Sequence, residues 1–148
     1  MNFERYSYKT FGNDERVQYA FVSNGSRGPI NKMLTFSHFG EEIYNLALED
    51  IDEDTGSFNQ YAVTNNGDTQ KILLTIAEAV VHFTSTRPWA QIFIKGNSAA
   101  RNRLYRMYIG RFMADIRQWY EVYGLRGKTW EIFEERGDYG AYLVIRLK

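Results

Sequence analysis

The residues best suited to chemistry lie where a predicted strand runs through a glycine into the second predicted helix. They are Gly96, Asn97, Ser98, Arg101, Arg103 and Arg106. Free backbone N–H groups and the helix dipole favour an anion at a helix N-terminus. Arginine side chains bind phosphate or carboxylate through paired hydrogen bonds. The pattern predicts an anion-binding site at the start of this helix.

A purely structural interpretation accounts for the same residues. Asn97 or Ser98 then serves as an ordinary N-cap, and the arginines form the solvated face of an amphipathic helix. The positions of Arg101, Arg103 and Arg106 also spread around a helix, so the three side chains cannot all point at one ligand. Both interpretations fit the sequence.

Aromatic side chains accompany the same helix at Tyr105, Tyr108, Trp119, Tyr120 and Tyr123. Arginines interleaved with aromatic rings can bind single-stranded nucleic acid through charge and stacking. At helical spacing, such rings more often form a core or a homodimer surface. The pattern favours core or interface and keeps nucleic acid as a partner to be tested.

The remaining titratable residues match no known catalytic or metal-binding pattern. The acidic stretch 49–56 fails the EF-hand pattern, which needs glycine at the sixth position and glutamate at the twelfth. A solvated hairpin loop explains it better, and a weak magnesium site is the alternative. No nucleophile motif accompanies His38 or His82. With no cysteine and two histidines, we expect no metal and no cofactor. Whether the chain is an enzyme stays open.

The composition is that of a soluble, folded domain. Hydrophobic residues make up 44% of the chain and aromatic residues 16%, which excludes the class of disordered proteins. The absence of cysteine excludes a disulfide framework and fits a reducing cytoplasm. No apolar run is long enough for a transmembrane helix, so we expect no membrane partner.

Charge is balanced overall but segregated along the chain. Eighteen Lys and Arg residues cancel eighteen Asp and Glu residues, which argues against a strongly basic nucleic-acid coat protein. Residues 41–68 carry eight acidic residues and no basic one, whereas residues 95–117 carry six basic residues and one acidic residue. This asymmetry predicts that part of the surface attracts anions.

The first 65 residues read as strands separated by turns. Turn residues at 12–14 and 24–29 separate segments rich in β-branched and aromatic side chains, and further strands are predicted at 43–48 and 57–64. No linker or repeat interrupts the chain. A single domain spanning residues 1–148 is therefore the simplest prediction.

Helices dominate the middle of the chain. Apolar residues from Ile72 to Phe83 recur at helical spacing, and a second helix is predicted from Gly96 to Trp119. A short strand lies between them, and strands at 129–134 and 139–148 close the chain. The pattern predicts an α+β fold of order ββββ(β)-α-β-α-ββ, a mainly antiparallel sheet with two helices packed on one face.

The segment 96–107 resembles a family of small bacterial proteins of unknown function, through a pattern of the form G-[NS]-[ST]-x-A-R-x-R-L-Y-R. Residues that match this pattern are Gly96, Asn97, Ser98, Ala100, Arg101, Arg103, Leu104, Tyr105 and Arg106. The likeness extends to residues 44–47, 54–56 and 66–68 and spans nearly the whole chain. It implies a bacterial, cytoplasmic single domain, and it transfers no activity or catalytic residue.

Three hypotheses about function follow from the sequence. The leading one is a binding protein, and a small homo-oligomer, that holds a phosphate, a nucleotide or a nucleic-acid backbone at the second helix. The second is an enzyme acting on a phosphorylated or nucleic-acid substrate, in which the arginines stabilise charge and Glu49 or Asp68 acts as base. The third is a structural homo-oligomer whose acidic and basic regions face each other.

Overall fold

The computed structural model describes residues 4–51, 58–59, 66–96 and 98–148 of the 148-residue chain. The strands are β1 Lys9–Gly12, β2 Arg16–Gly25, β3 Gly28–Gly40, β4 Ile43–Ile51, β5 Phe58–Asn59, β6 Gln91–Ile94, β7 Tyr120–Arg126, β8 Thr129–Ile132 and β9 Ala141–Arg146. The helices are α1 Thr69–Thr86, α2 Ala99–Arg111 and α3 Met113–Ile116. The acidic stretch from Asp52 and most of the strand predicted at 57–64 lie outside the described residues.

The strands form a mixed, mostly antiparallel sheet of order β1-β2-β3-β4-β6-β9-β7-β8, and β5 pairs with β4. The β4–β6 pair is parallel, and α1 supplies the connection that a parallel pair requires. The α+β class and the predicted element order are confirmed. The structure adds the short helix α3 and the strand β7, where the sequence predicts the second helix to continue to Trp119.

The chain divides into two compact units. Unit 1 comprises Met1–Ser37 and Ala47–Thr86, and unit 2 comprises His38–Leu46 and Arg87–Lys148. The segregation of charge along the sequence follows this division. Ten acidic and six basic residues give unit 1 a formal charge of −4, whereas twelve basic and eight acidic residues give unit 2 a charge of +4.

The core of unit 1 forms between α1 and one face of the neighbouring strands. Alternate residues of β2 are buried, as expected for a strand with one covered face. On α1 the predicted apolar stripe is buried at Ile72, Ile76, Val80 and Phe83. The Phe83 ring stacks on Phe36 of β3 at a centroid distance of 4.2 Å. The helical spacing in the sequence therefore identified the packed face correctly.

An ion pair is buried in the same unit. The Lys32 side chain on β3 is fully buried, and its Nζ lies 2.6 Å from Oδ1 of Asp50 on β4. The low dielectric of the interior makes both the desolvation cost and the attraction large. This pair therefore fixes the two strands to each other through a contact that fails if either partner is removed.

The core of unit 2 joins α2 and α3 to one face of β6, β9 and β7. Its buried residues are Val122, Phe133, Tyr139 and Tyr142, and the partly buried residues against them include Tyr105, Ile109, Met113 and Ile116 from the helices. None of the residues of α2 is fully buried. This helix therefore lies on the surface of its unit, with much of its side-chain area exposed to ligands.

Among the described residues, no helix combines the length and apolar character needed to span a bilayer.

Candidate functional site

The start of α2 is capped by Ser98. Its backbone is extended, with φ −152° and ψ 160°, and its Oγ accepts a hydrogen bond from the Arg101 N–H at 3.1 Å. This is the usual N-cap geometry. The N–H groups of Ala99 and Ala100 take no part in the hydrogen bond to Ser98 Oγ. Asn97, the other predicted capping residue, lies outside the described residues.

Gly96 is buried against the helix that follows it. Its N–H donates to Oδ1 of Asn102 at 2.7 Å, and a Cβ added at Gly96 would lie 2.8 Å from the Asn102 backbone nitrogen. Glycine is required here by the close approach of the chain to its own helix.

Asn102 organises the helix start and was not singled out in the sequence. Its Oδ1 accepts the hydrogen bond from the Gly96 N–H, and its Nδ2 donates to the Gly140 carbonyl oxygen at 3.1 Å. Its own carbonyl oxygen accepts a hydrogen bond from the Tyr142 hydroxyl at 3.0 Å. The only sequence signal is a residue of low helix propensity placed in the first turn of a helix, where it needs a specific partner.

The three predicted arginines differ in their surroundings. Nη1 of Arg106 donates to the Gly137 carbonyl oxygen at 3.1 Å, so this side chain is partly committed to its own unit. Arg101 is half-buried and Arg103 is exposed. Two residues along a helix amount to a rotation of about 200°, so Arg101 and Arg103 lie on nearly opposite sides of α2. The structure does not bring the three guanidinium groups to one point.

The electrostatic surroundings of the helix start are positive. The first turn of α2 contains no acidic residue, and none of the ion pairs among the described residues involves Arg101 or Arg103. Lys95, Arg111 and Arg117 add exposed cations along the same segment. A group of exposed cations attracts an extended anion more effectively than a single cation does.

Two tyrosines report the environment beneath the helix. Burial raises the pKa of Tyr105, and the nearby Arg101 charge partly opposes that rise. Burial also raises the pKa of Tyr142 to about 12. Both hydroxyls are therefore neutral at physiological pH, and neither supplies a negative charge that would compete with a bound anion.

Ionisation of Tyr142 should weaken the fold at alkaline pH. A raised pKa means that the neutral hydroxyl stabilises the folded state below about pH 10, the ordinary tyrosine value. That contribution is lost as the pH rises through about 12. Tyr142→Phe should cost about 1 kcal/mol near neutrality, because it removes the hydrogen bond to Asn102, and should flatten the alkaline decline. Thermal unfolding followed across this pH range tests this, and identical alkaline declines in both proteins would contradict it.

A second polar cluster lies in unit 1, around the residue that precedes α1. Asp68 Oδ2 accepts hydrogen bonds from the Tyr6 hydroxyl and, at 2.5 Å, from Ser23 Oγ. Its Oδ1 is buried and has no hydrogen-bond partner among the described residues. Asn66, which is 2% exposed, donates to Ser23 Oγ at 3.2 Å and to the Gly28 carbonyl oxygen at 2.8 Å. The cluster ties the N-terminal segment, β2 and the start of α1 together.

The chemistry of this cluster favours a structural role. Both hydroxyl groups donate to the same carboxylate oxygen, and these bonds join three separate segments of unit 1. Burial, together with the hydrogen bond to Asp68, raises the pKa of Tyr6. Across the described parts of the chain, no group of three or more His, Asp or Glu side chains is arranged to hold a metal ion.

The two histidines bind neighbouring groups of their own units. His82 Nδ1 lies 2.7 Å from the Tyr19 hydroxyl, and His38 Nε2 contacts the Glu41 carbonyl oxygen. Neither contact involves a serine or another nucleophile. The geometry of both side chains is that of structural histidines rather than of a catalytic base.

Comparison with known proteins identifies the family. The family of unknown function DUF6934 matches residues 2–147. The chain belongs to DUF6934. This match confirms that the chain belongs to a family of unknown function over nearly its whole length. No curated protein and no solved structure matches this DUF6934 chain, so the description of its site rests on its own residues.

Proposed function

We propose that this DUF6934 protein is a binding protein that holds a nucleic-acid backbone at the start of α2. The observation that carries the proposal is the pair of cations, Arg101 and Arg103, at the start of a helix whose first turn contains no acidic residue. The formal charge of +4 on unit 2 supports it, because a positive field raises the local concentration of anions.

An extended anion fits the helix better than a single phosphate or a nucleotide. Arg101 and Arg103 lie on nearly opposite sides of α2, and the Arg106 guanidinium is committed to the Gly137 carbonyl oxygen. A nucleic-acid strand offers successive phosphates, which side chains on different sides of a helix can bind separately. We therefore favour the backbone of a nucleic acid among the three anions that the sequence suggested.

Binding is also better supported than catalysis. Asp68 is one of the two acids considered as a base. Its Oδ2 accepts hydrogen bonds from two hydroxyl groups within unit 1. Its other oxygen, Oδ1, is buried, whereas a general base must face the reacting group. The proposal includes a homo-oligomer in a bacterial cytoplasm, since several linked sites on one long nucleic acid strengthen binding. The absence of cysteine fits that compartment.

Salt-dependent binding of labelled oligonucleotides tests the proposal. We expect the protein to bind a mixed-sequence DNA or RNA strand with an affinity that falls steeply as NaCl is raised. Arg101→Gln/Arg103→Gln should weaken binding at least about tenfold at low salt and reduce the slope of log K against log salt by about two. Fluorescence anisotropy with single-stranded and duplex probes measures both quantities.

The matched control is Lys9→Gln/Arg16→Gln. It removes the same formal charge from two exposed cations of unit 1, so it should leave the affinity within about a factor of two. Equal losses in the two double variants would mean that net charge alone governs binding. Absence of salt-sensitive binding to either probe would overturn the proposal.

A further inference from the structure

The sheet of unit 2 has a second face, opposite the helices. Val144 and Tyr142 of β9 pack toward α2 and α3, and side chains alternate along a strand. Leu143 and Ile145 therefore point to the other face. Phe93 pairs with Leu143 in the register of β6 and β9 and lies on that face too.

We name this surface the open sheet face and define it by six apolar residues. They are Phe39, Phe93, Trp130, Ile132, Leu143 and Ile145. Ring contacts connect three of them, since the Phe93 ring centroid lies 5.9 Å from Phe39 and 6.1 Å from Trp130. These contacts show that the aromatic side chains form one continuous patch across the strands.

The open sheet face is exposed although it includes central strands of the sheet. Ile132 is 70% exposed, Phe39 57% and Trp130 39%. Leu143 and Ile145 remain half-buried, even though β9 lies between β6 and β7. A central strand with apolar residues on both faces is normally covered on both. No helix among the described residues of unit 2 packs against this face.

We infer that the open sheet face binds a second copy of this chain. Phe and Trp side chains bury about 150–250 Å² each, so the exposed parts of Phe39 and Trp130 leave on the order of 200 Å² of apolar surface, to which the exposed Ile132 adds. The half-buried neighbours enlarge this patch toward the ~800 Å² that each partner contributes to a standard interface. An apolar centre that meets its own copy gives the self-complementary contact of a two-fold dimer.

The charges at the edge of the face are compatible with two-fold symmetry. Glu121 pairs with Ile145 at one end of the strands. Lys95, which follows β6, and Lys128, in the β7–β8 turn, lie at the other end. A two-fold axis that runs across the strands places the Glu121 end of one copy over the lysine end of its partner. Opposite charges at the rim of an interface favour this register over others.

Nucleic acid is a poorer occupant of the same face. Exposed aromatic rings on a sheet can stack with bases, and cations around such a platform bind the backbone. On this face Lys95 and Lys128 lie at one end of the strands only, and the other end carries Glu121. Here the carboxylate of Glu121 accepts the Tyr123 hydroxyl at 2.6 Å, and Tyr123 faces the same side as Leu143, its register partner. This negative charge repels phosphate and is tolerated by a protein partner.

Sedimentation velocity over a range of protein concentrations tests the inference. The wild-type chain should form a dimer that persists in high salt, because an apolar interface is not screened. Ile132→Glu should raise the dimer dissociation constant at least about tenfold, and Phe39→Glu should do the same from the other side of the patch. Both residues are mostly exposed, so circular dichroism should show an intact fold.

Met107→Glu is the matched control. Met107 is 52% exposed on α2, so the change places the same charge on an equally exposed apolar residue away from the open sheet face. It should leave the dimer intact. A wild-type monomer up to about millimolar concentration would overturn the inference, as would a dimer that Met107→Glu disrupts and Ile132→Glu does not. Oligonucleotide binding by monomeric Ile132→Glu separates this outcome from failure of the proposed function.

Discussion

Replacement of Lys32 by methionine alone is expected to lower the free energy of unfolding by about 3–5 kcal/mol. The Lys32 side chain is fully buried, and its Nζ lies 2.6 Å from Asp50 Oδ1. Methionine fills most of the space but removes the buried ammonium group that lies against the Asp50 carboxylate. Typical domains are stable by only 5–15 kcal/mol, so the loss should shift urea unfolding far toward lower concentrations.

The double variant Lys32→Met/Asp50→Leu separates the charge effect from packing. It removes both charges and refills the volume with apolar atoms, so its stability should lie within about 1–2 kcal/mol of the wild type or exceed it. Urea unfolding of the two single variants and the double variant closes a thermodynamic cycle. A double variant as unstable as the sum of the single variants would show that the pair is not coupled and would contradict this account.

Replacement of Gly124 by alanine is expected to destabilise the protein by about 3 kcal/mol or more. A Cβ at this position would lie 2.4 Å from the Tyr139 ring. That ring cannot move away easily, because Tyr139 is 2% exposed and its hydroxyl accepts the Glu134 N–H at 2.9 Å. The added methyl group must therefore displace strand β7 or the Tyr139 ring, which disrupts the core of unit 2.

Gly140→Ala is the matched control for the effect of glycine on the unfolded chain. A Cβ at Gly140 would meet no atom within 4 Å. The free energy of unfolding of the Gly140→Ala protein should therefore stay within about 1 kcal/mol of the wild-type value. Thermal and urea unfolding compare the two variants. A Gly124→Ala protein as stable as Gly140→Ala would mean that Tyr139 is not held in the position described.

Local patterns in the sequence were sufficient to predict most of the fold. The stripe from Ile72 to Phe83 is buried as its spacing predicts, since an amphipathic helix carries its packing face in its own sequence. The turn residues at 12–14 separate β1 from β2 as expected. These features depend on residues close together in the chain, where sequence reasoning is strongest.

The sequence did not predict strand β7, because this strand depends on tertiary packing and not on the local propensity of its residues. Gly124 reads as a break in the sequence, yet it lies inside the strand because Tyr139 packs flat against it. Tyr120 and Tyr123 extend the aromatic spacing of the preceding helix, which favoured a longer helix. A strand that needs glycine for a distant ring cannot be identified from local propensity alone.

The candidate site was predicted only in part. Ser98 is the N-cap, as its residue type indicates. The hydrogen bond from the Gly96 N–H to Asn102 Oδ1, in contrast, depends on how the chain folds back on its own helix. The partner of Arg106 is a carbonyl oxygen 31 residues away. Long-range contacts of this kind, like the Lys32–Asp50 pair, leave no periodic trace in the sequence.

A nuclear magnetic resonance titration of the protein with a single-stranded oligonucleotide shows directly whether the start of α2 binds nucleic acid. We expect the largest changes in backbone amide chemical shift at Ala99, Ala100, Arg101 and Arg103, and we expect added salt to reverse them. Shifts confined to the open sheet face, or no shifts at the start of α2 at low salt, would contradict the assignment of this helix as the anion-binding element.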